Sequence, residues 1–275
     1  MDLAFTFGIV TDGSPEGADR VRRILARIAA ENIPAYEVVV VGTCPGLEQD
    51  SHLRVIPFDE SQRPRWITRK KNLITRNARF DNIVYMHDYL LPEPGWYAGW
   101  QIFGSAFHAC MNPILNADGE RFRDWTLFYD ASVQPAKDFA GAGRFDNLLP
   151  YSETGLSKGM YFSGAYWVAK RDIMREFPLD ERLSWGEGED VIWSHQFRER
   201  YIFSINTHSS VRIFGKKKDR YFSEIRPEVL AKMKDYWEVH PIPSGYGCSS
   251  EMEVWRAHEH WGPVKAIQAA IGGAR

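Results

Sequence analysis

The sequence predicts an α/β fold in which helices cover both faces of a mostly parallel central sheet. Two observations predict it. The runs "LAFTFGIV", "YEVVVVG", "HLRVIPFD" and "NIVYMHD" are apolar at nearly every position instead of alternating, the mark of strands buried on both faces. Segments with helical spacing lie between strands, so the two element types alternate along the chain. A third observation gives the sheet a working edge. Asp12, Asp59 and Asp88 sit at or just past strand ends, and ligands on such sheets bind at the carboxyl ends of the strands.

The elements follow in order. After the first strand, "TDGSPEG" forms a turn, with Ser14 as N-cap and Pro15 at the first helical position. Val21, Ile24, Leu25 and Ile28 recur at helical spacing between Arg20 and Ala30, with arginines on the opposite face. The second and third strands come next, then the polar helix "RWITRKKNLITRNARF" and the fourth strand. Residues 97–111 read as an aromatic-rich helix. Residues 116–160 are rich in Gly, Asp and Asn, with short strands such as "WTLFYDASV", and are suited to shaping a substrate cleft. "MYFSGAYWVAKRDIMREF" reads as strand, turn and helix, "EDVIWSHQFRER" as a helix, and "YIFSINTHSSVRIF" as a pair of strands.

Residues 1–215 read as one continuous domain, since no repeat, low-complexity tract or Gly/Ser linker interrupts them. From Lys216 on, basic residues and scattered aromatics mark a small C-terminal extension, residues 216–275. Within it, Val229, Leu230, Met233 and Trp237 share one face of an expected helix over 228–237. His258 and His260 invite a metal reading, against which an exposed helix face is the favoured one.

Composition narrows the function. With 44% hydrophobic and 25% charged residues among 275, the chain has the balance of a globular protein with a sizeable core. A net charge of −2 gives no electrostatic reason to expect nucleic acid. Cys44, Cys110 and Cys248 are far apart and form no C-x-x-C spacing, which argues against a zinc knuckle or a disulfide framework and for a reducing compartment. The start "MDLAFTFGIVTDG" does not read as a signal peptide, and no run reaches the roughly 20 apolar residues of a membrane span. The expected setting is cytoplasmic, with contact at the inner membrane face left open for the C-terminal region. Ten tryptophans are available for stacking on sugar rings or for the core.

Three places carry candidate chemistry. Asp88 ends the fourth strand next to His87. It reads either as a cap on the following turn or as a carboxylate delivered to the binding edge, and His87 either as a local hydrogen-bond partner or as a ligand. The segment "LDERLSWGEGEDVIWSHQFRER" gathers Asp180, Glu181, Glu187, Glu189 and Asp190 around Gly186 and Gly188. Those glycines permit positive φ and close backbone approach. Glu189 and Asp190 then open a helix, where the dipole favours negative charge. A carboxylate pair there suits a general base and an acceptor anchor. In "NTHSSVRIFGKKK", His208 ends a strand and Lys216–Lys218 follow a glycine. A histidine converging with a carboxylate suits a divalent metal, and nearby lysines suit a diphosphate.

In order, these pieces resemble the A-type (GT-A) glycosyltransferase fold, a Rossmann-like architecture, and in particular the inverting family 2-like enzymes related to cellulose and chitin synthases. The matching stretches are the first strand with its Thr/Asp turn, "KKNLITRNARFDNIVYMHDY", "YFSGAYWVAKRDIM", "LDERLSWGEGEDVIW" and the late strand histidine, over roughly residues 3–215. "WGEGED" is also similar to the tryptophan-glycine-acidic motif of galactosyltransferases. Where the family's strand ends in Asp-x-Asp, this chain reads Met86-His87-Asp88, one carboxylate short.

The resemblance implies a nucleotide-binding half, residues 1–95, and an acceptor half, residues 96–215. It implies a nucleoside diphosphate sugar donor, a UDP-sugar being favoured, and a carbohydrate or glycoconjugate acceptor. Thr6, Gly8, Thr11 and Asp59 would hold base and ribose, with Lys71, Asn72, His87 and Lys216 also on the donor side. Asp88 and His208 would ligate Mn2+ or Mg2+. Asp190 would be the base and Glu189 would orient the acceptor, with Trp185 and Gly188 lining the acceptor's place. The missing carboxylate implies a weaker metal site, completed by diphosphate oxygens or partly replaced by Lys216 or Lys217. Two other classes compete. A sugar-phosphate nucleotidyltransferase would carry a glycine-rich signature that "TFGIVTDGSPEGADRVRR" only loosely echoes. A non-catalytic sugar-binding protein would not need Asp88, Glu189 and Asp190 together. The lack of G-x-G-x-x-G after the first strand argues against a dehydrogenase.

Overall fold

A computed structural model describes residues 3–127 except 48, 145–156, 160–215, and 222–235 except 229, 232 and 233. Strand β1 (Phe5–Val10) is buried at all six positions, as its unbroken apolar character requires. Helix α1 (Pro15–Ala30) begins where the turn chemistry places it: the Ser14 hydroxyl accepts from the Gly17 N–H at 3.0 Å, and proline occupies the first turn. Strands β2 (Tyr36–Val41) and β3 (Leu53–Ile56), helix α2 (Ile67–Asn77) and strand β4 (Asn82–His87) follow.

The second half is finer grained. It contains β5 (Leu90–Pro92), α3 (Trp96–Phe103), β6 (Ala109–Met111), β7 (Ile114–Leu115), β8 (Arg121–Phe122), β9 (Trp125–Leu127), β10 (Phe145–Leu148), β11 (Met160–Phe162), β12 (Tyr166–Lys170), α4 (Arg171–Glu176), α5 (Glu189–Arg198), β13 (Phe203–Ile205), β14 (Val211–Ile213) and β15 (Phe222–Glu224).

Seven strands form the central sheet in the order β13-β6-β12-β4-β1-β2-β3. Every neighbouring pair is parallel except those made by β12, which runs antiparallel to β4 and β6. The chain leaves β1 to one side for β2 and β3, then returns on the other side for β4. The carboxyl ends of β1 and β4 therefore flank the point where strand order reverses, the place such sheets reserve for ligands.

Alternation along β1 sends successive side chains to opposite faces. On one face Phe5 and Phe7 meet Trp96 of α3, with ring centroids 5.0 and 5.1 Å apart. On the other face Gly8, Tyr85 and Trp167 share one rung across β1, β4 and β12. Tyr85 stacks on Trp167 at 4.8 Å, and Trp167 stacks on Trp193 of α5 at 5.4 Å. Helices α2 and α5 thus cover the same face, which brings their polar residues together.

Several boundaries differ from the sequence reading. The aromatic helix expected over 97–111 stops at Phe103, because Gly104 takes a positive φ of 87° and the chain turns into β6. The "strand pair" near residue 205 is two strands of different sheets: β13 pairs with β6, while β14 pairs with β5 and β7. Of "WTLFYDASV", Trp125–Leu127 is a strand and the rest lies outside the described residues. The segment read as an extension contains β15, which pairs in parallel with β10. Lys216, Lys217, Val229, Met233, Trp237, Cys248, His258 and His260 lie outside the described residues. Among those described, no helix is long and apolar enough to cross a membrane.

Gly8 shows how tightly the α2 face closes. A Cβ at this position would lie 2.3 Å from Ile74 Cγ2 and 2.9 Å from its Cδ1. Gly8→Ala is expected to lower stability by about 1–3 kcal/mol through overpacking, read as a lower urea midpoint. Pairing it with Ile74→Ala, which vacates the contact, should recover part of the overpacking penalty. A fully stable Gly8→Ala protein would mean that this interface is looser than described.

Candidate active site

The last residues of β1 and β4 pair across the sheet, Val10 against His87. One residue on, the Asp88 N–H donates to Val10 O at 3.1 Å, extending the ladder by one rung. The Thr11 hydroxyl donates to Asp88 Oδ2 at 2.8 Å. Asp88 is 6% exposed. Burial pushes its carboxyl above the usual range, against the pull of Thr11 and Arg20. Asp12, exposed at the rim, accepts from the Ser14 N–H at 2.9 Å, a bond that holds its carboxyl below the usual range. Gly17, in the first turns of α1, makes the convergence of these groups possible. A Cβ there would sit 2.7 Å from Thr11 Oγ1, 2.8 Å from Asp88 Oδ2 and 2.9 Å from Asp12 Oδ1.

A cavity of about 340 Å³ opens on this edge. Thr11, Asp12, His87 and Asp88 form its floor, and Arg20, Arg65 and Lys70 bring positive charge to its walls. Lys70 is committed: its ammonium donates to Thr11 O at 2.7 Å and pairs with Glu60. Arg65 takes a left-handed backbone (φ 58°), an uncommon conformation for a side-chain-bearing residue. That turn aims its carbonyl at the Trp185 N–H, 3.0 Å away. Its guanidinium lies 5.2 Å from the Trp185 ring centroid. Trp185 remains 51% exposed at the mouth of the cavity, an apolar plate open to a ligand.

The second cluster lies behind this floor. Gly188 adopts φ 78° as N-cap of α5 and points Glu189 and Asp190 inward, 5% and 8% exposed. Asp190 Oδ2 accepts from the Gly164 N–H at 2.7 Å, and its Oδ1 from the Val191 N–H at 2.9 Å. Arg123 approaches Asp190 Oδ2 at 3.7 Å. Lys71 enters from α2, its ammonium donating to Gly164 O at 2.6 Å above the Trp167 ring. Burial, opposed by the two carboxylates, brings Lys71 down to about 8. Burial and the neighbouring Asp190 push Glu189 up to about 8. The Ala165 carbonyl, one residue past Gly164, accepts from the His87 N–H at 3.1 Å. One short loop therefore connects the carboxylate pair to the cavity floor.

The residues singled out in the sequence divide among different surroundings. Thr11, His87, Asp88 and Trp185 line the cavity, and Glu189, Asp190 and Gly188 stand behind it. Thr6 does not reach the cavity. It is fully buried and donates to Glu37 at 2.8 Å, in the first half of β1. Gly8 is packed under Ile74. Asp59 closes a local turn onto Ser61, while its neighbour Glu60 faces the cavity. Lys71 belongs to the carboxylate cluster. Asn72 brackets the backbone of Leu179, donating to its carbonyl at 2.8 Å and accepting from its N–H at 3.0 Å. Arg20, Glu60, Arg65, Lys70, Arg123 and Gly164 also border the two clusters; Lys70 and Gly164 lie within the matching stretches quoted above, whereas no short motif carries the other four.

His208 is not brought to Asp88. In the β5–β14 ladder Val211 faces Pro92 and Ile213 faces Leu90, and the Phe214 N–H donates to Tyr89 O. Continuing that register puts Gly215 opposite Asp88, whereas His208 does not end a strand: it lies in the turn between β13 and β14, with its carbonyl against Gly99 of α3, and it does not line the cavity. Among the described residues no group of three or more His, Cys, Asp or Glu is placed to hold a metal. Asp88 alone still fits a hard divalent cation of the kind that binds through one or two carboxylates and takes its other oxygens from substrate phosphates.

No protein-family model matches the chain, and no curated protein matches it. Its fold is shared by solved glycosyltransferases. GalNAc-T7, crystallised with UDP, GalNAc and Mn2+, superposes with a TM-score of 0.51 at 12% identity over 94% of this chain and 55% of that one. S. aureus TarS 1-349 superposes with a TM-score of 0.50 at 10% identity over 94% of this chain and 72% of that one. The chain thus has the A-type glycosyltransferase fold and spans about half the length of the GalNAc-T7 chain.

The buried Glu189 has a signature in stability. Its native pKa is about 8 against an ordinary 4.5, so the folded protein retains a proton that the unfolded chain releases. The stabilisation is complete below about pH 4.5 and is lost as pH rises toward 8. Glu189→Gln, neutral throughout, should remove that contribution, so its urea-unfolding stability declines less across this window than that of wild type. Parallel declines in the two proteins would place the titration elsewhere.

Proposed function

We propose that the protein transfers a sugar from a nucleoside diphosphate sugar, with a UDP-sugar favoured, to a carbohydrate or glycoconjugate hydroxyl with inversion at the anomeric carbon. One observation carries this reading. Asp88 stands at the reversal point of the sheet, and Asp190, next to Glu189, accepts a hydrogen bond from the loop that leads into the strand beside it. The GalNAc-T7 structure with UDP, GalNAc and Mn2+ supports the donor class and a divalent cation.

The chain's own groups divide the work. The cavity between Thr11 and Trp185 receives the donor, with Arg20 and Arg65 on its walls to meet the phosphates. A divalent cation, Mn2+ or Mg2+, would be held by Asp88 and would neutralise charge on the departing diphosphate. Trp185 offers its exposed ring for a sugar to stack on. An acceptor hydroxyl is a weak nucleophile until its proton is taken, and Asp190 is the base we assign. Its carboxylate has lone pairs beyond the two used by Gly164 and Val191. Glu189, holding its proton near neutral pH, can donate a hydrogen bond that orients the acceptor. Proton removal on the acceptor's side, opposite the departing diphosphate, gives in-line displacement. Cys44 and Cys110 are free and buried, which suits the cytoplasmic setting we assign. A surface polysaccharide or similar glycan as acceptor rests on the family resemblance.

Thermal-shift measurement with UDP, GDP, CMP and dTDP, with and without Mn2+, tests the donor assignment. UDP is expected to raise the melting temperature, more so with Mn2+, and Asp88→Ala to remove the Mn2+-dependent part. A response only to a nucleoside triphosphate with a sugar phosphate would overturn the reading in favour of nucleotidyl transfer. Asp190→Asn is expected to keep UDP binding and lose roughly 10²–10⁴ in turnover, the usual weight of a general base. Normal turnover by that variant removes Asp190 from the role, and a product that keeps the donor's anomeric configuration by NMR removes inversion.

A further inference from the structure

Arg20 holds an unusual position among the cations of the cavity. Lys70 is spent on Thr11 O and Glu60, and Arg65 lies along Trp185. Arg20 is shared between two carboxylates of unequal burial. One nitrogen donates to Glu16 Oε1 at 2.6 Å, where the Glu16 side chain is 82% exposed. The other reaches both oxygens of buried Asp88, but only at 3.3 and 3.4 Å. Charge-assisted N–H···O bonds settle near 2.7–2.9 Å, so the Asp88 contact is long. The Nε–H of Arg20 is buried without a hydrogen-bond partner. A guanidinium with an idle buried donor and a stretched bond faces a cavity that has room for more acceptors.

We propose that Arg20 is an exchangeable counter-ion. In the empty pocket it neutralises Asp88. When a diphosphate enters, its planar fork turns to the phosphate oxygens and leaves the Asp88 carboxylate to a divalent cation. The inference rests on the donor reading above and adds the residue that couples the two binding events. The physical ground is charge balance. A divalent cation at Asp88 with Arg20 still in place meets a like charge within the same few ångströms. A diphosphate arriving without Arg20 loses a bidentate partner that suits its geometry. Cation and nucleotide therefore bind each other's state better than the empty pocket. Glu16 gives the guanidinium a second anchor near the surface during the exchange.

Titration calorimetry on Arg20→Met and Arg20→Lys tests this, with UDP and uridine in EDTA and with Mn2+ alone. Wild type is expected to prefer UDP over uridine. Arg20→Met should bind UDP roughly tenfold more weakly, the weight of a hydrogen bond to a charged group, and bind uridine unchanged, which also reports an intact pocket. It should bind Mn2+ alone more tightly, by roughly tenfold or more, because a like charge has gone. Arg20→Lys, charged but without the fork, should fall between the two for UDP. Unchanged UDP affinity in Arg20→Met, or Mn2+ affinity that fails to rise, overturns the assignment while leaving the donor site standing. Wild-type protein that binds neither UDP nor uridine, with or without Mn2+, overturns the donor reading itself and the Arg20 assignment with it.

Discussion

The arrangement of this protein depends on the backbone of one residue, Gly164. Its N–H is taken by Asp190 and its carbonyl by Lys71, and the next carbonyl accepts from His87. These bonds tie α5, α2 and β4 to a single short loop. All are buried or nearly so, and a buried donor or acceptor left without a partner costs about 1–3 kcal/mol. A side chain at residue 164 would press on the same groups: its Cβ would lie 3.1 Å from Asp190 Oδ2 and 3.3 Å from Glu189 Oε1. Any shift of this loop moves the carboxylate pair relative to Asp88.

Two electrostatic environments meet across that loop. Behind it, Lys71 and Glu189 are buried deeply enough for both to titrate near 8, and Asp190 is held by backbone N–H groups. In front of it, the cavity balances Asp12, Glu60 and Asp88 against Arg20, Arg65 and Lys70. Burying such groups costs stability unless they are paired or hydrogen-bonded. The aromatic stack of Tyr85, Trp167 and Trp193 supplies apolar contact beneath them. Lys71 lies over the Trp167 ring of that stack, 4.4 Å from its centroid.

Helix geometry separates the polar residues of α2. Lys70, Lys71 and Asn72 are consecutive, and at 3.6 residues per turn they point about 100° apart. Lys70 meets Thr11 O, Lys71 meets Gly164 O, and Asn72 meets Leu179. A linear motif treats them as one group, whereas the fold distributes them over the cavity wall, the carboxylate cluster and the loop that carries Trp185. Thr6 and Gly8 fail to reach the cavity for the matching reason in a strand. Only the carboxyl end of β1 borders it, and its earlier residues are core.

Local physics was legible in the sequence. Unbroken apolar runs identified β1, β2 and β4. The Ser14–Pro15 pair marked the start of α1, and the glycines at 186 and 188 marked a turn that opens a helix with two acids. The strand-end rule led to Asp88 because it depends only on where an apolar run stops. Residues brought together through tertiary contacts were not legible: Arg20 against Asp88, 68 positions apart, Asp190 against Gly164, 26 apart, and the separation of His208 from Asp88 by strand register. Periodicity and capping are set by neighbours within a turn or two, so a linear chain displays them. Which distant side chains share a pocket is set by sheet order and by which helices cover a common face, and only the folded packing decides that.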